Sequence, residues 1–150
     1  MDELLKVKNG YGSDTDLEII SSDPNHGTLT LKLIVDDHHL NESGTLDEGL
    51  VATLADNYTT YLLIAHSLAT KPDTMPISVS VCLSVQALAP VSPGTIIHLV
   101  CRIGNDRLTK PHAFAVFVDA KNPNVVYARA SHTKHNKDVM GYGVQKSGKL

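Results

Sequence analysis

The stretch from residue 46 to residue 70 limits the fold more than any other part of this chain. Leu46, Leu50, Leu54, Tyr58, Tyr61, Ile64, Ala65 and Leu68 recur every three to four residues, which predicts one long helix. The opposite face carries Ala52, Ala55, Leu62 and Leu63, so the helix is apolar nearly all the way round and has to be wrapped. Between Glu48 and Lys71 the only formal charge is Asp56. It falls mid-helix, where Asp has poor propensity and cannot act as a cap, so a carboxylate kept there implies a role. The same residue argues against membrane insertion: an Asp at the centre of a span costs about 2.5 to 3.5 kcal/mol, and Asn57, Thr59, Thr60 and His66 add to that. The stretch reads as a core helix.

Its start is marked by Thr45 and Glu48, which have the spacing of a capping box. Asp47 and Glu48 would sit at the positive end of the helix dipole, worth about 0.3 to 1 kcal/mol each. Asn41, Ser43 and Gly44 upstream are loop chemistry. The backbone N–H groups of the first helical turn are then available to polarise a ligand oxygen.

Either side of the helix the pattern is that of strands. Leu17 to Ser21 and Thr28 to Val35 predict a hairpin, with Leu29, Leu31, Leu33 and Val35 on its buried face. After Lys71, Pro72, Asp73 and Pro76, the residues Ile77, Val79, Val81, Leu83, Val85 and Ala87 alternate with Ser78, Ser80, Cys82, Ser84 and Gln86 in a clean period of two. Thr95 to Ile103, Ala113 to Ala120 and Val125 to Thr133 follow, joined by short turns that imply antiparallel pairing. The expected fold class is α+β: a long central helix wrapped by a curved antiparallel sheet of about five to six strands. We expect an N-terminal segment over 1–16 with a short helix, a folded domain over 17–136 and a flexible tail over 137–150. One sheet covers only one side of such a helix, so an oligomer is expected to cover the rest.

The net charge of -3 and the lack of a Lys/Arg run exclude a nucleic-acid surface. Cys82 and Cys101 lie in apolar runs without ligand spacing and read as core thiols of a reducing compartment. The eight histidines include no pair with ligand geometry, so no metal is expected; His132 and His135, three apart on a strand, face opposite ways. The N-terminus has neither an apolar signal core nor an Arg-rich amphipathic face, which predicts a cytoplasmic protein. Mitochondrial and peroxisomal placement stay open, and the terminal Gly-Lys-Leu differs from the Ser-Lys-Leu peroxisomal signal at its first residue.

The runs HLNESGTLDEGLVATLADN, ISVSVCLSVQALAPVSPG and ASHTKH resemble the hotdog-fold thioesterases, in the branch of thioesterase superfamily member 2 and the phenylacetate-pathway thioesterases. The resemblance spans about residues 28 to 136. It implies a homodimer with a continuous sheet, usually paired into a homotetramer, acting on acyl-CoA with no cofactor. It puts the catalytic carboxylate at Asp56, as general base or nucleophile, with Asn41 positioning the thioester or the water. Ser80 would support the acid, and the Glu48 backbone N–H would polarise the carbonyl from the other subunit. Lys110, Lys134 and Arg129 become candidates for the CoA phosphates.

Where the family reads His-Gly-Gly, this chain has Asp47, Glu48 and Gly49. A Glu48 carboxylate about 5 Å from a developing oxyanion would oppose it by roughly 3 kcal/mol at an effective dielectric of about 20, or about two orders of magnitude in rate, unless it is swung away, paired or protonated. This motivates an alternative: a hotdog protein that has lost hydrolysis and binds acyl-CoA or a partner as a regulatory or scaffolding module. A dehydratase or hydratase on the same fold is disfavoured, because those enzymes pair a histidine with the helix acid and no such motif stands out here.

Overall fold

A computed structural model of the chain describes residues 17–71, 78–107 and 109–136; the expected N-terminal segment and tail lie outside the described residues. Among the described residues the elements are β1 (Leu17–Asp23), β2 (Thr28–Ile34), α1 (Glu48–Thr70), β3 (Ser78–Ala87), β4 (Ile96–Asn105), β5 (His112–Asp119) and β6 (Val126–Asn136), with a 3-10 turn at Asp37–His39. All six strands form one antiparallel sheet in the order β1-β2-β4-β5-β6-β3. One long helix against an antiparallel sheet is the expected plan.

The inner face of the sheet explains where the helix lies. Leu29, Leu31 and Leu33 of β2, Ile97, Leu99 and Cys101 of β4, and Phe117 of β5 are buried beneath it. Ala115, Ala128 and Ala130 are buried too, and their small side chains leave a shallow trough in which α1 can approach the strands. The helix fills it with Leu50, Val51, Leu54, Ala55, Thr59, Leu62 and Leu63. This line departs from the predicted stripe beyond its second turn: Tyr58, Tyr61, Ile64 and Ala65 are half-buried and Leu68 is exposed. Among the described residues of one protomer the helix is therefore wrapped on one side only.

The helix start also differs from expectation. Asp47, not Thr45, is the N-cap, accepting from the Leu50 N–H at 2.8 Å. The cause is upstream: Leu40 and Leu46 form a β-bridge, Leu46 N–H donates to Val91 O at 2.9 Å and Asp47 N–H to His39 O at 2.9 Å. These contacts hold residues 45 to 47 extended, and the helix begins only after them. Gly49 is fitted to this cap, since a Cβ there would stand 2.9 Å from Asp47 Oδ1.

Strand β3 carries the second departure. Its pairing with β6 slips between Ser80 and Cys82: Ser80 lies opposite Lys134, while Cys82 lies opposite Thr133 and Leu83 opposite His132. Directly opposed residues share a face. The bulge therefore turns Ser80 to the helix side along with Leu83 and Val85, where strict alternation had placed it on the other side. Cys82 is a free, exposed thiol and not a core one. Cys101 is buried, and loss of solvent pushes its thiol up to about 12.

Candidate active site

Asp56 lies on α1 one turn before Thr59 and Thr60, with its side chain 44% exposed. Three elements converge on it. The bulge in β3 brings Ser80 Oγ to 3.3 Å from Asp56 Oδ1. From β6, His132 Nε2 stands 3.2 Å from the same oxygen and 2.9 Å from Ser80 Oγ. Lys134, two residues further along β6 and on the same face, donates from Nζ to Thr60 Oγ1 at 3.0 Å and Ser80 Oγ at 3.2 Å.

The hydrogen-bond network assigns the histidine tautomer. Thr59 has one hydroxyl hydrogen, and it goes to the Ala55 carbonyl at 2.6 Å, which can only accept. Thr59 Oγ1 must then accept from His132 Nδ1, 2.7 Å away, so the imidazole proton sits on Nδ1. In the neutral ring Nε2 is an acceptor and takes the Ser80 hydroxyl hydrogen. Once Nε2 gains a proton it becomes a donor to Asp56, and the Ser80 hydroxyl turns to Asp56 as well. The cluster thus holds a second seat for a proton beside the carboxylate.

Burial sets the charge states. His132 is fully buried, and loss of solvent pulls its pKa below the ordinary histidine value; the Lys134 charge adds to this, Asp56 opposes it and His112 contributes a little more lowering. Lys134 is 5% exposed, and burial lowers its pKa against a smaller opposing pull from Asp56. Neutral His132 and a less strongly basic Lys134 therefore flank the acid.

Not every expected site residue is here. Asn41, Asp47, Glu48 and Gly49 gather at the helix start, eight residues or roughly 12 Å along the axis from Asp56. Asn41 Oδ1 accepts from the Ser43 and Thr45 N–H groups at 2.9 and 3.2 Å, and Asn41 Nδ2 donates to Glu48 Oε2 at 3.2 Å. The Glu48 carboxylate is thus drawn aside onto Asn41. With Asp47 capping Leu50, the Glu48 and Gly49 N–H groups keep no intrahelical acceptor. Beside them is a cavity of about 260 Å³, lined by Leu46, Glu48, Val51, Phe117, Tyr127 and Ala128 among others. Lys110 and Arg129 are exposed. Lys134 is corrected: its ammonium is turned inward against two hydroxyls, where it cannot meet a CoA phosphate at the surface.

The residue that sequence reasoning missed is His132. Its signal was present in the period of β6, where Ala128, Ala130, His132 and Lys134 alternate onto one face, so a histidine follows two core alanines inward. Among the described residues there is no group of three or more His, Cys, Asp or Glu arranged to hold a metal, and no helix long and apolar enough to cross a membrane.

No protein-family model matches the chain. Over 139 residues it is 30% identical to a Schizosaccharomyces pombe protein named as a putative esterase, across 89% of this chain and 78% of that one. Among solved structures, thioesterase superfamily member 2 from Mus musculus is 27% identical and superposes with a TM-score of 0.73, covering 89% of this chain and 92% of that one. A Streptococcus mutans UA159 protein bound to acetyl CoA shares the fold at 19% identity and a TM-score of 0.67, over 82% and 90% of the two chains.

Proposed function

Because the chain belongs to the hotdog-fold thioesterase superfamily, we propose that it hydrolyses acyl-CoA thioesters to the free acid and CoA. The observation that carries this reading is the half-exposed Asp56 carboxylate, with Ser80 Oγ at 3.3 Å and His132 Nε2 at 3.2 Å, on a helix whose only other charge is Glu48 at its first residue. The acetyl CoA held by the S. mutans protein supports the ligand class.

In the proposed reaction Asp56 takes a proton from water as the oxygen attacks the thioester carbonyl. His132 Nε2, which accepts the Ser80 hydroxyl hydrogen while the ring is neutral, is the neighbouring seat to which the proton can pass, and Ser80 then turns to donate to Asp56. Helix-start N–H groups of Glu48 and Gly49 receive the developing oxyanion. Collapse of the tetrahedral intermediate breaks the C–S bond, and the stored proton goes to the leaving sulfur. Asn41 acts by ordering the loop and keeping the Glu48 carboxylate off the oxyanion, and Lys110 is the proposed contact for a CoA phosphate.

One carbonyl cannot touch both Asp56 and a helix start roughly 12 Å away on the same axis. The donors are therefore assigned to a second copy, in a homodimer formed by pairing of β3 edges, with two dimers making a homotetramer. Support comes from β3 itself: it ends the sheet, and its Val79, Val81 and Leu83 are exposed.

The test is CoA release from a panel of acyl-CoAs, read with a thiol reagent. Turnover of at least one chain length is expected. The Asp47-Glu48 pair favours a second reading, binding without hydrolysis. It is supported if wild type binds but does not cleave while Asp47→His with Glu48→Gly gains turnover, and brisk turnover by wild type removes it.

A further inference from the structure

Lys134 has no place in the chemistry above, yet its position is expensive. An ammonium that is 5% exposed has given up most of its hydration, and its recorded side-chain partners are two neutral hydroxyls, Thr60 Oγ1 at 3.0 Å and Ser80 Oγ at 3.2 Å. A methionine of the same reach would fill the space without that cost.

We propose that Lys134 is a positioning residue that fixes the polarity of the Ser80 hydroxyl and keeps His132 Nε2 an unprotonated acceptor beside Asp56. The proposal rests on the thioesterase reading for its catalytic consequence, but not for its physical content. Lysine can only donate. By filling a lone pair of Ser80 Oγ it leaves that hydroxyl to act as donor, and the two acceptors in reach are His132 Nε2 at 2.9 Å and Asp56 Oδ1 at 3.3 Å. Thr60 completes the hold: its own hydroxyl hydrogen goes to the Asp56 carbonyl at 2.6 Å, so its oxygen receives the ammonium.

The positive charge also disfavours a second positive charge on His132. The other ionisable groups facing the imidazole are Asp56 from α1, which favours its protonation, and His112 from β5, which opposes it weakly. Without Lys134 the balance tips toward Asp56. His132 then protonates more readily, and its Nε2 becomes a donor that occupies the carboxylate oxygen needed for water.

The deciding measurement is an NMR titration of His132 in the full chain, in wild type and in Lys134→Met, with Lys134→Gln as the second variant should Met impair folding. The expected result is an upward shift of the His132 midpoint in the folded variant. An unchanged or lowered midpoint overturns the proposal, whether or not the protein is an enzyme. On an acyl-CoA that wild type cleaves, Lys134→Met is expected to lose about 10- to 100-fold in kcat with little change in KM, and to move the acid limb of the kcat profile to higher pH. Unchanged kcat and an unmoved limb also overturn it. Absence of any turnover by wild type counts against the thioesterase reading alone, since the titration still decides the role of Lys134.

Discussion

Asp56 Oδ1 and His132 Nε2 meet at 3.2 Å, joining the middle of the central helix to a strand near the far end of the described chain. The contact exists because α1 lies across β6 and because both residues follow small neighbours inward, Ala55 on the helix and Ala130 on the strand. It makes the acid part of a network, with Ser80, Thr59 and Lys134 each holding one edge.

The first prediction concerns the helix start. Asp47→Ala removes the cap and is expected to lower stability by about 1 kcal/mol in urea denaturation, whereas Thr45→Ala costs less. Gly49→Ala should cost a similar amount by pressing on Asp47 Oδ1, and the two losses should not add. A larger loss at Thr45 than at Asp47 would restore the capping box read from the sequence.

The second concerns pH. The folded His132 value lies below its ordinary value of 6.5, so in the window between them the unfolded chain binds more protons. Stability from this group is complete above about 6.5 and is lost as pH falls through that window. The stability difference between wild type and His132→Gln should therefore shift against wild type on acidification from pH 7 toward pH 5. Asp106, whose carboxyl is held below its usual value chiefly by a hydrogen bond from Lys71, acts only lower, near and below 3.8, and cancels in the difference. A difference that stays flat with pH contradicts the assignment.

The third concerns assembly. Val81, 60% exposed on the β3 edge, is replaced by Asp. Sedimentation should show wild type as a dimer or larger and Val81→Asp as a folded monomer, and acyl-CoA turnover should fall with the dimer. A fully active monomer would show that one protomer holds the whole site.

Much of the fold was legible because it rests on local periodicity: the helix, its lone acid and the six strands follow from spacings of three to four and of two. The register was not. The β3 bulge depends on pairing with β6 across the chain, and it moved Ser80 onto the face with the helix. The cap moved to Asp47 because backbone bonds from residues 39 and 91 hold the preceding residues extended, a constraint that no capping motif contains. Asp56 and Ser80 were reached through spacing and resemblance, while His132 was set aside because histidines were weighed as metal pairs. The inward turn of Lys134 depends on two hydroxyls brought from α1 and β3.

The most direct test is steady-state turnover of the best acyl-CoA by wild type and Asp56→Asn, each verified as folded and of equal oligomeric state. Loss of a proton acceptor in contact with the attacking water should lower kcat by about 100- to 10,000-fold. Equal kcat in the two proteins would take Asp56 out of the chemistry and leave its network with Ser80 and His132 a structural one.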